Sequence, residues 1–388
     1  MQLTPLIVCF GDLYWKNGLE RNHSILKNLI EAGLFDRGVY VEPSFWLSTL
    51  YSEKQSLGSL LKRHRTALDG KLKIKQVVHF IPFKNKISQL NNIEKSVIRS
   101  NLFASLEGSN YTLLINRIAF DIDDLLVELI QKAKFSIFDF SDDFREFFSN
   151  DHEIDQFNRF VEKTVTKVDL VIHVNEHVRD IYSSYNKNNM VVRNATNFSN
   201  FDRKHFRKIN KMEGVKAQYT KIIGYIGTAN LIRLDLVAVI ELVSQKPDWA
   251  FVFVGSIGNE IKTRLNQFSN IIYINFVPYT DLPDYLNYFD VCTAPMLIND
   301  HTVGNDLLKL HDYLAMAKPV VASNVGGSSD LEGVTIYNDP DDFVIKIEQE
   351  LEKPNTPEIF EKRKETAREN SWEHRLEPLR NYLITHIH

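Results

Sequence analysis

At 388 residues and 45.0 kDa the chain exceeds one ordinary core and fits two domains. Its 44% hydrophobic and 25% charged fractions exclude wholesale disorder and fibrous classes. The formal net charge of -4 argues against a dedicated nucleic-acid binder, for which a basic excess is the rule.

The chain opens with a buried-type strand, Leu6 to Phe10, then a loop from Gly11 to Gly18 and an amphipathic helix from Leu19 to Ala32 stopped by Gly33. Strand-like runs follow at Val77–Ile81, Tyr111–Ile115, Phe135–Phe140 and Leu170–Val174. Helical patterns lie between most of them, at Ile93–Leu106, Ile122–Lys132 and Ile154–Val168. Alternating elements of this kind predict a parallel sheet covered on both faces. A polar stretch, 199–220, has few large apolar residues and reads as a linker. A second series follows, with strands at Ile222–Ile226, Ala250–Val254, Ile271–Ile274, Val291–Ala294, Pro319–Ala322 and Val334–Ile336. Its helices are expected at Leu234–Ser244, Leu282–Tyr288 and Asn305–Met316, and a last helix at Trp372–Ile387 has no following strand. The expected division is therefore 1–198, a linker 199–220, 221–370 and a closing helix within 371–388. The fold class is α/β, with two Rossmann-like doubly wound domains facing a cleft, and ligands should bind beyond the carboxyl ends of the strands.

Cys9 and Cys292 each lie inside an apolar run and read as small buried residues. The N-terminal apolar run is shorter than a signal-peptide core and lacks a basic flank, and no stretch reaches the roughly 18 apolar residues of a membrane span. A reducing cytoplasm is the expected compartment.

The segment Gly304 to Ala322 is the most informative. Asn305 or Asp306 is placed to cap a helix whose first amides would attract phosphate. Lys309 sits near the positive end of that helix, where a cation is disfavoured unless an anion compensates it. Asp312, three residues on, shares its face; a surface Lys309–Asp312 pair is the simpler alternative.

This segment resembles the nucleotide-sugar signature of GT-B glycosyltransferases, Lys-Leu-(Phe/Tyr)-Glu-Tyr-Leu-Ala-x-Gly-Lys-Pro-Val-Val. Lys309, Leu310, Tyr313, Leu314, Ala315, Lys318, Pro319, Val320 and Val321 match, while Asp312 replaces the Glu and Ala317 the Gly. The resemblance extends through Gly224–Thr228, Pro247–Gly255, Tyr279–Pro283 and Ser371-Trp372-Glu373, so that it covers most of 220–385. It implies that Lys309 contacts a donor diphosphate and Asp312 the ribose. Gly227 and Thr228 would form the phosphate-proximal turn, with Arg233 the nearest cation, and Val277 would sit where backbone groups hold the base. A second Glu marks the large retaining family eight residues before the ribose carboxylate; that position is Gly304 here, so retention is not implied.

In the first half, Phe135 to Phe144 carries Asp139, Asp142 and Asp143 at a strand end. This resembles teichuronic-acid-type and xanthan-type transferases, and the carry-over makes Asp142 the base of an inverting reaction; capping of the next helix by Asp142 and Asp143 is the alternative. Neighbouring Asp139 and Asp143 would raise its pKa. Gly11, Asp12 and Arg21, with Asn22 and His23, are candidate acceptor contacts. Asp121-Ile122-Asp123 matches the metal signature of the other transferase fold, yet it opens an amphipathic helix and capping explains it better. No other cluster has ligand spacing, so no metal or cofactor is expected beyond the nucleotide sugar donor.

Residues 53–99 hold eleven Lys/Arg against three acids, and 121–155 hold eleven acids against three Lys/Arg. The first block predicts docking on an anionic membrane surface, against the alternative of a solvated face, and the second an acidic segment by the cleft. Together these features predict a glycosyltransferase extending a bacterial surface polysaccharide or similar glycan, with a glycan or lipid-linked saccharide as acceptor. A nucleotide-sugar epimerase and a catalytically inactive nucleotide- or glycan-binding partner are the rival functions.

Overall fold

The computed structural model describes residues 6–15, 20–46, 65–79, 88–106, 110–354 and 356–387. Its internal contacts define two compact units, Met1–Val192 with Leu376–His388, and Arg193–Arg375.

In the first unit the described residues form an eight-stranded sheet. Its strands are β1 (Leu6–Phe10), β2 (Arg37–Trp46), β3 (Arg65–Ala67), β4 (Leu72–His79), β5 (Tyr111–Ile115), β6 (Phe135–Phe140), β7 (Leu170–His173) and β8 (Asn189–Val191). The spatial order is β3-β4-β2-β1-β5-β6-β7-β8, and every pairing is parallel except β3 with β4. Continuous apolar runs explain the centre: β1, β5 and β6 are buried at every residue, as a sheet covered on both faces requires. Strand β2 was not foreseen, because Glu42 and Pro43 interrupt its apolar run. Its register with β4 shifts between Glu42 and Phe45, and such a bulge is where a proline fits in a sheet. Cys9 lies fully buried in β1.

The second unit is wholly parallel. It contains β9 (Lys221–Ile226), β10 (Trp249–Val254), β11 (Ile271–Ile274), β12 (Val291–Ala294), β13 (Val320–Ala322) and β14 (Val334–Ile336), in the order β11-β10-β9-β12-β13-β14. Cys292 is fully buried in β12. The expected linker 199–220 is a correction: it is folded into this unit, with helices Phe198–Phe201 and Asn210–Gln218. Three apolar anchors, Phe201, Met212 and Val215, hold it to the core. They are too few to give a helical period among so many polar residues, which is why composition alone read this stretch as linker.

The tail also divides differently from the expected break at 371. Trp372 is buried and donates its N–H to Thr196 O at 3.1 Å, so Ser371–Arg375 stays with the second unit. From Leu376 the chain belongs to the first unit. Leu379 and Leu383 are buried, and Tyr382 meets the Phe135 ring edge-on with centroids 6.3 Å apart.

Both sheets reverse their strand order once, between β1 and β5 and between β9 and β12. Loops at the carboxyl ends of the strands diverge there, leaving a crevice, the usual ligand position in an open α/β sheet.

The charge blocks are only partly described, since 53–64 and 80–87 lie outside the described residues. Among the rest, Lys95 pairs with Asp124 at 3.0 Å and Arg99 with Glu128 at 2.5 Å. These are exposed pairs, each worth about 0–1 kcal/mol. The two blocks thus cancel in part by direct pairing between helices.

Candidate active site

In the second unit the crevice is bounded by the loops after β9 and β12, which are tied together. Leu297 N–H donates to Arg233 O at 2.8 Å, Asn299 Nδ2 to Ile232 O at 2.8 Å, and Asp235 N–H to Pro295 O at 2.9 Å. The chain leaves β9 through Gly227, whose φ of +124° is costly for any residue with a Cβ. A Cβ there would also stand 3.2 Å from Lys309 Nζ. Thr228 follows, exposed, and its carbonyl accepts from Tyr225 Oη at 2.8 Å.

Lys309 lies in the first turn of the helix Leu308–Ala315. The expected caps are a correction: Leu307 occupies the cap position and no side chain satisfies the first amides. Asp306 is buried and turned elsewhere, accepting Asn194 N–H at 2.7 Å, with Arg193 Nε 3.5 Å away. Asn305 Nδ2 donates to His301 O. The free amides therefore remain available to an anion. Lys309 itself is half-buried, with Nζ 4.0 Å from the centroid of the Tyr225 ring. No carboxylate among the described residues pairs with it, so the alternative Lys309–Asp312 pair does not form.

Asp312 is buried, and its Oδ1 accepts from Thr196 Oγ1 and Tyr279 Oη, both at 2.8 Å. Burial, followed by the charge of Asp312, holds the Tyr279 hydroxyl far above its ordinary pKa, so it stays a donor. Tyr225 and Tyr279 lie inside segments that carry the resemblance, yet no role was expected for them, and Thr196 gave no signal at all. Arg233 is half-buried in the turn after β9, its N–H donating to Asn230 Oδ1 at 3.0 Å. Val277 is half-buried in the loop after β11, and its backbone N–H and C=O are engaged by no described residue.

In the first unit the corresponding loops carry a polar cluster. Gly11 N–H donates to Val41 O at 3.1 Å, and a Cβ on Gly11 would fall 1.9 Å from Tyr40 Oη. Asp12 Oδ1 accepts from Asn22 Nδ2 at 2.6 Å, and Asn22 also reaches Tyr40 Oη at 3.1 Å. Although one edge of Asp12 is open to solvent, burial of the rest and the charges of Asp139 and Glu20 push its carboxyl up to about 7, against its own backbone N–H bond and Arg117. Its native pKa thus exceeds that of the unfolded chain, and the native state loses stability as pH rises from about 4 through 7. Asp12→Asn removes that dependence. By differential scanning fluorimetry it should melt above wild type at about pH 8 and together with it near pH 3.

Arg21 does not sit at the mouth of the crevice as expected. It is buried and grips Asp139 from Nε at 3.0 and 3.1 Å and from Nη2 at 2.9 Å, while Asn116 Nδ2 adds a bond of 2.6 Å. Breaking a buried pair strands the other charge, so Arg21→Ala should cost about 3–5 kcal/mol in chemical denaturation. An acceptor role would instead raise the acceptor KM with stability intact. His23 is likewise fully buried, in ring contact with Trp15 and Tyr40.

The three carboxylates at the end of β6 have separate fates. Asp139 is neutralised by Arg21. Asp143 caps the turn Phe144–Phe147, accepting Arg145 N–H at 3.2 Å, and also takes the Tyr182 hydroxyl. Asp142 remains half-exposed, accepting Asp143 N–H at 2.9 Å. Of the two neighbouring carboxylates, Asp139 is thus paired with a cation, while Asp143 is bonded to an amide and a hydroxyl. The Asp-x-Asp motif neither caps as expected nor stands open. Asp121 is bonded to His79 Nε2 at 2.8 Å and Ser44 Oγ at 2.5 Å, and against the upward push of burial these bonds and Arg117 hold its carboxyl near 2. Asp123 pairs with Lys163 at 2.8 Å.

Solved structures share this architecture along its whole length. Anabaena HepE, crystallised with UDP and glucose, matches at TM-score 0.67 and 13% identity over 97% of this chain and 99% of its own. Sucrose-phosphate synthase from Thermosynechococcus elongatus matches at TM-score 0.69 and 14% identity over 99% of both chains. Likeness at such identity speaks for the fold, and the fold is GT-B. Residues 220–353 match the model of the family described as glycosyl transferases group 1. The putative teichuronic acid biosynthesis glycosyltransferase TuaH of Bacillus subtilis (strain 168) is 28% identical over 159 residues. That stretch spans 39% of this chain and only 40% of the relative.

Proposed function

We propose that the protein is a glycosyltransferase that moves a sugar from a nucleotide diphosphate sugar to a glycan or lipid-linked acceptor in bacterial surface polysaccharide biosynthesis. One observation carries the reading. At the switch point of the second unit, a half-buried lysine without a carboxylate partner among the described residues stands at an uncapped helix N-terminus, beside a glycine turn. A leaving diphosphate is the anion such a position accommodates, and negative charge develops there as the C1–O bond breaks. Lys309 and the helix amides would take the diphosphate, with Gly227 and Thr228 flanking it and Arg233 adding a second cation. Val277 would hold the base through its backbone groups, and Asp312 would face the ribose.

In the first unit Asp142 would accept the proton of the acceptor hydroxyl as its oxygen attacks the anomeric carbon in an inverting displacement. Gly11 and Asp12 would line the acceptor. Arg21 contributes through Asp139, as a support beneath that surface. The similarity of one segment to TuaH supports a surface-polysaccharide role, and the UDP complexes of HepE make UDP the first nucleotide to try. Among the described residues no helix is long and apolar enough to cross a membrane. We place the enzyme in the cytoplasm, held peripherally at the inner membrane face through residues 53–99.

Calorimetric titration with UDP, GDP and dTDP, followed by assays of donor hydrolysis and transfer, tests this. Tight binding of one nucleotide diphosphate and release of its sugar are expected. Turnover should survive a chelator, since no step uses a metal. Conversion of the donor into an epimer without acceptor would favour the epimerase, and binding without turnover under any acceptor condition the inactive partner.

A further inference from the structure

Residues 202–221 contain seven Lys/Arg against two acids, and they wall a hollow. A groove of about 580 Å³ is lined by Lys204, Lys208, Lys216, Phe206 and Tyr219 among others. A second, of about 340 Å³, shares Phe206, Asn287, Phe289, Asp290 and Lys318 with it, so the two form one trough. Lys221 opens β9 and Asp290 immediately precedes β12, so the trough lies at the amino ends of these strands, the edge opposite the Gly227 turn.

Lys204, Lys208 and Lys216 are exposed and pair with no carboxylate among the described residues. Asp281 and Asp284 hold Arg207, while Glu213 accepts the Tyr288 hydroxyl at 2.5 Å and Asp290 accepts Ile222 N–H at 2.8 Å. These last two acids keep their charge, and the cations lining the groove outnumber them. Like charges gathered around a hollow repel one another unless an anion joins them. Half-buried Phe206, Tyr219 and Tyr288 supply apolar walls between the cations. Aromatic walls suit the C–H faces of pyranose rings, while ammonium groups form charge-assisted bonds with carboxylates or phosphates. A bilayer is a poorer fit. It cannot follow a concave trough, and Phe360, at 36%, is the most exposed large apolar residue among those lining it.

We propose that this trough binds a saccharide chain bearing anionic groups, at a site separate from the donor turn. The proposal rests on the reading of the protein as a transferase acting on glycans, and it adds that the glycan is acidic. Such a site would hold a growing or neighbouring chain by charges spaced along it.

The test uses the full chain, an oligogalacturonate hexamer and a neutral maltohexaose, with binding measured calorimetrically at low and high salt. The uronate should bind, more weakly at high salt, and the neutral hexamer should not. The triple variant Lys204→Glu, Lys208→Glu, Lys216→Glu should weaken uronate binding about tenfold or more, with UDP binding unchanged as the check on folding. Equal binding of the neutral hexamer, or full retention in the triple variant, would overturn the proposal. So would capture of the wild type by phosphatidylglycerol vesicles through these lysines when the uronate fails to bind. Uronate binding that persists in a protein unable to bind any nucleotide diphosphate would remove the transferase reading and leave the trough standing.

Discussion

Lys309→Ala should weaken binding of UDP, the first probe, about ten- to a hundredfold, the worth of one charge-assisted hydrogen bond to phosphate. Its melting temperature should stay within about 2 °C of wild type. The two expectations belong together. Among the described residues Lys309 has no carboxylate to strand, and its contact there is the Tyr225 ring, at 4.0 Å from the centroid. A cation–π contact contributes roughly 0.5–2 kcal/mol, and an ammonium beside an uncapped helix N-terminus offsets part of that through unfavourable dipole interaction. Little stability is therefore at stake, whereas a bound diphosphate would turn the same repulsion into attraction. UDP, GDP and dTDP binding all unchanged in the variant would refute the donor assignment. A general collapse of the fold would show that Lys309 is structural.

Asp142→Asn should lower kcat about 10²- to 10⁴-fold with nucleotide affinity unchanged. The isosteric amide keeps an acceptor oxygen for Asp143 N–H while giving up the charge and the ability to take a proton. Asp143→Asn is the instructive control. It disturbs the cap on Arg145 N–H and the bond from Tyr182, which should cost about 1 kcal/mol in denaturation while activity is largely kept. If Asp143→Asn abolished turnover and Asp142→Asn did not, the base would have to be reassigned. The same would follow if both variants retained full activity, in which case Asp12 becomes the first alternative.

Much of the architecture was legible because parallel sheets write themselves plainly. Leu6–Phe10, Tyr111–Ile115 and Phe135–Phe140 are unbroken apolar runs, and the structure places all three as buried strands with the expected bounds. The Lys309 segment was legible for another reason: a helix after a buried strand must present its first turn at the sheet's carboxyl edge. The replacement of the family Gly by Ala317 was visible too, and the structure gives it meaning, since Ala317 adopts φ +53° at the helix end where glycine is favoured. Strand β2 and the helix Asn210–Gln218 were not legible, because a bulge at Pro43 and a surplus of lysine hide their periods.

Roles that depend on partners were the least legible. Arg21, Asp139, Asp142 and Asp143 look alike in sequence as polar residues near strand ends. Residues 21 and 139 meet across 118 positions, and that meeting turns a candidate acceptor contact into a buried support. By itself the sequence determined the two doubly wound units, the position of Lys309 and the strand end carrying Asp142, since these follow from hydrophobic period and local spacing. Only the tertiary structure decided which charges are spent on one another and which are left over. Pairing depends on distances of a few ångströms between residues far apart in the chain, and no local pattern encodes them.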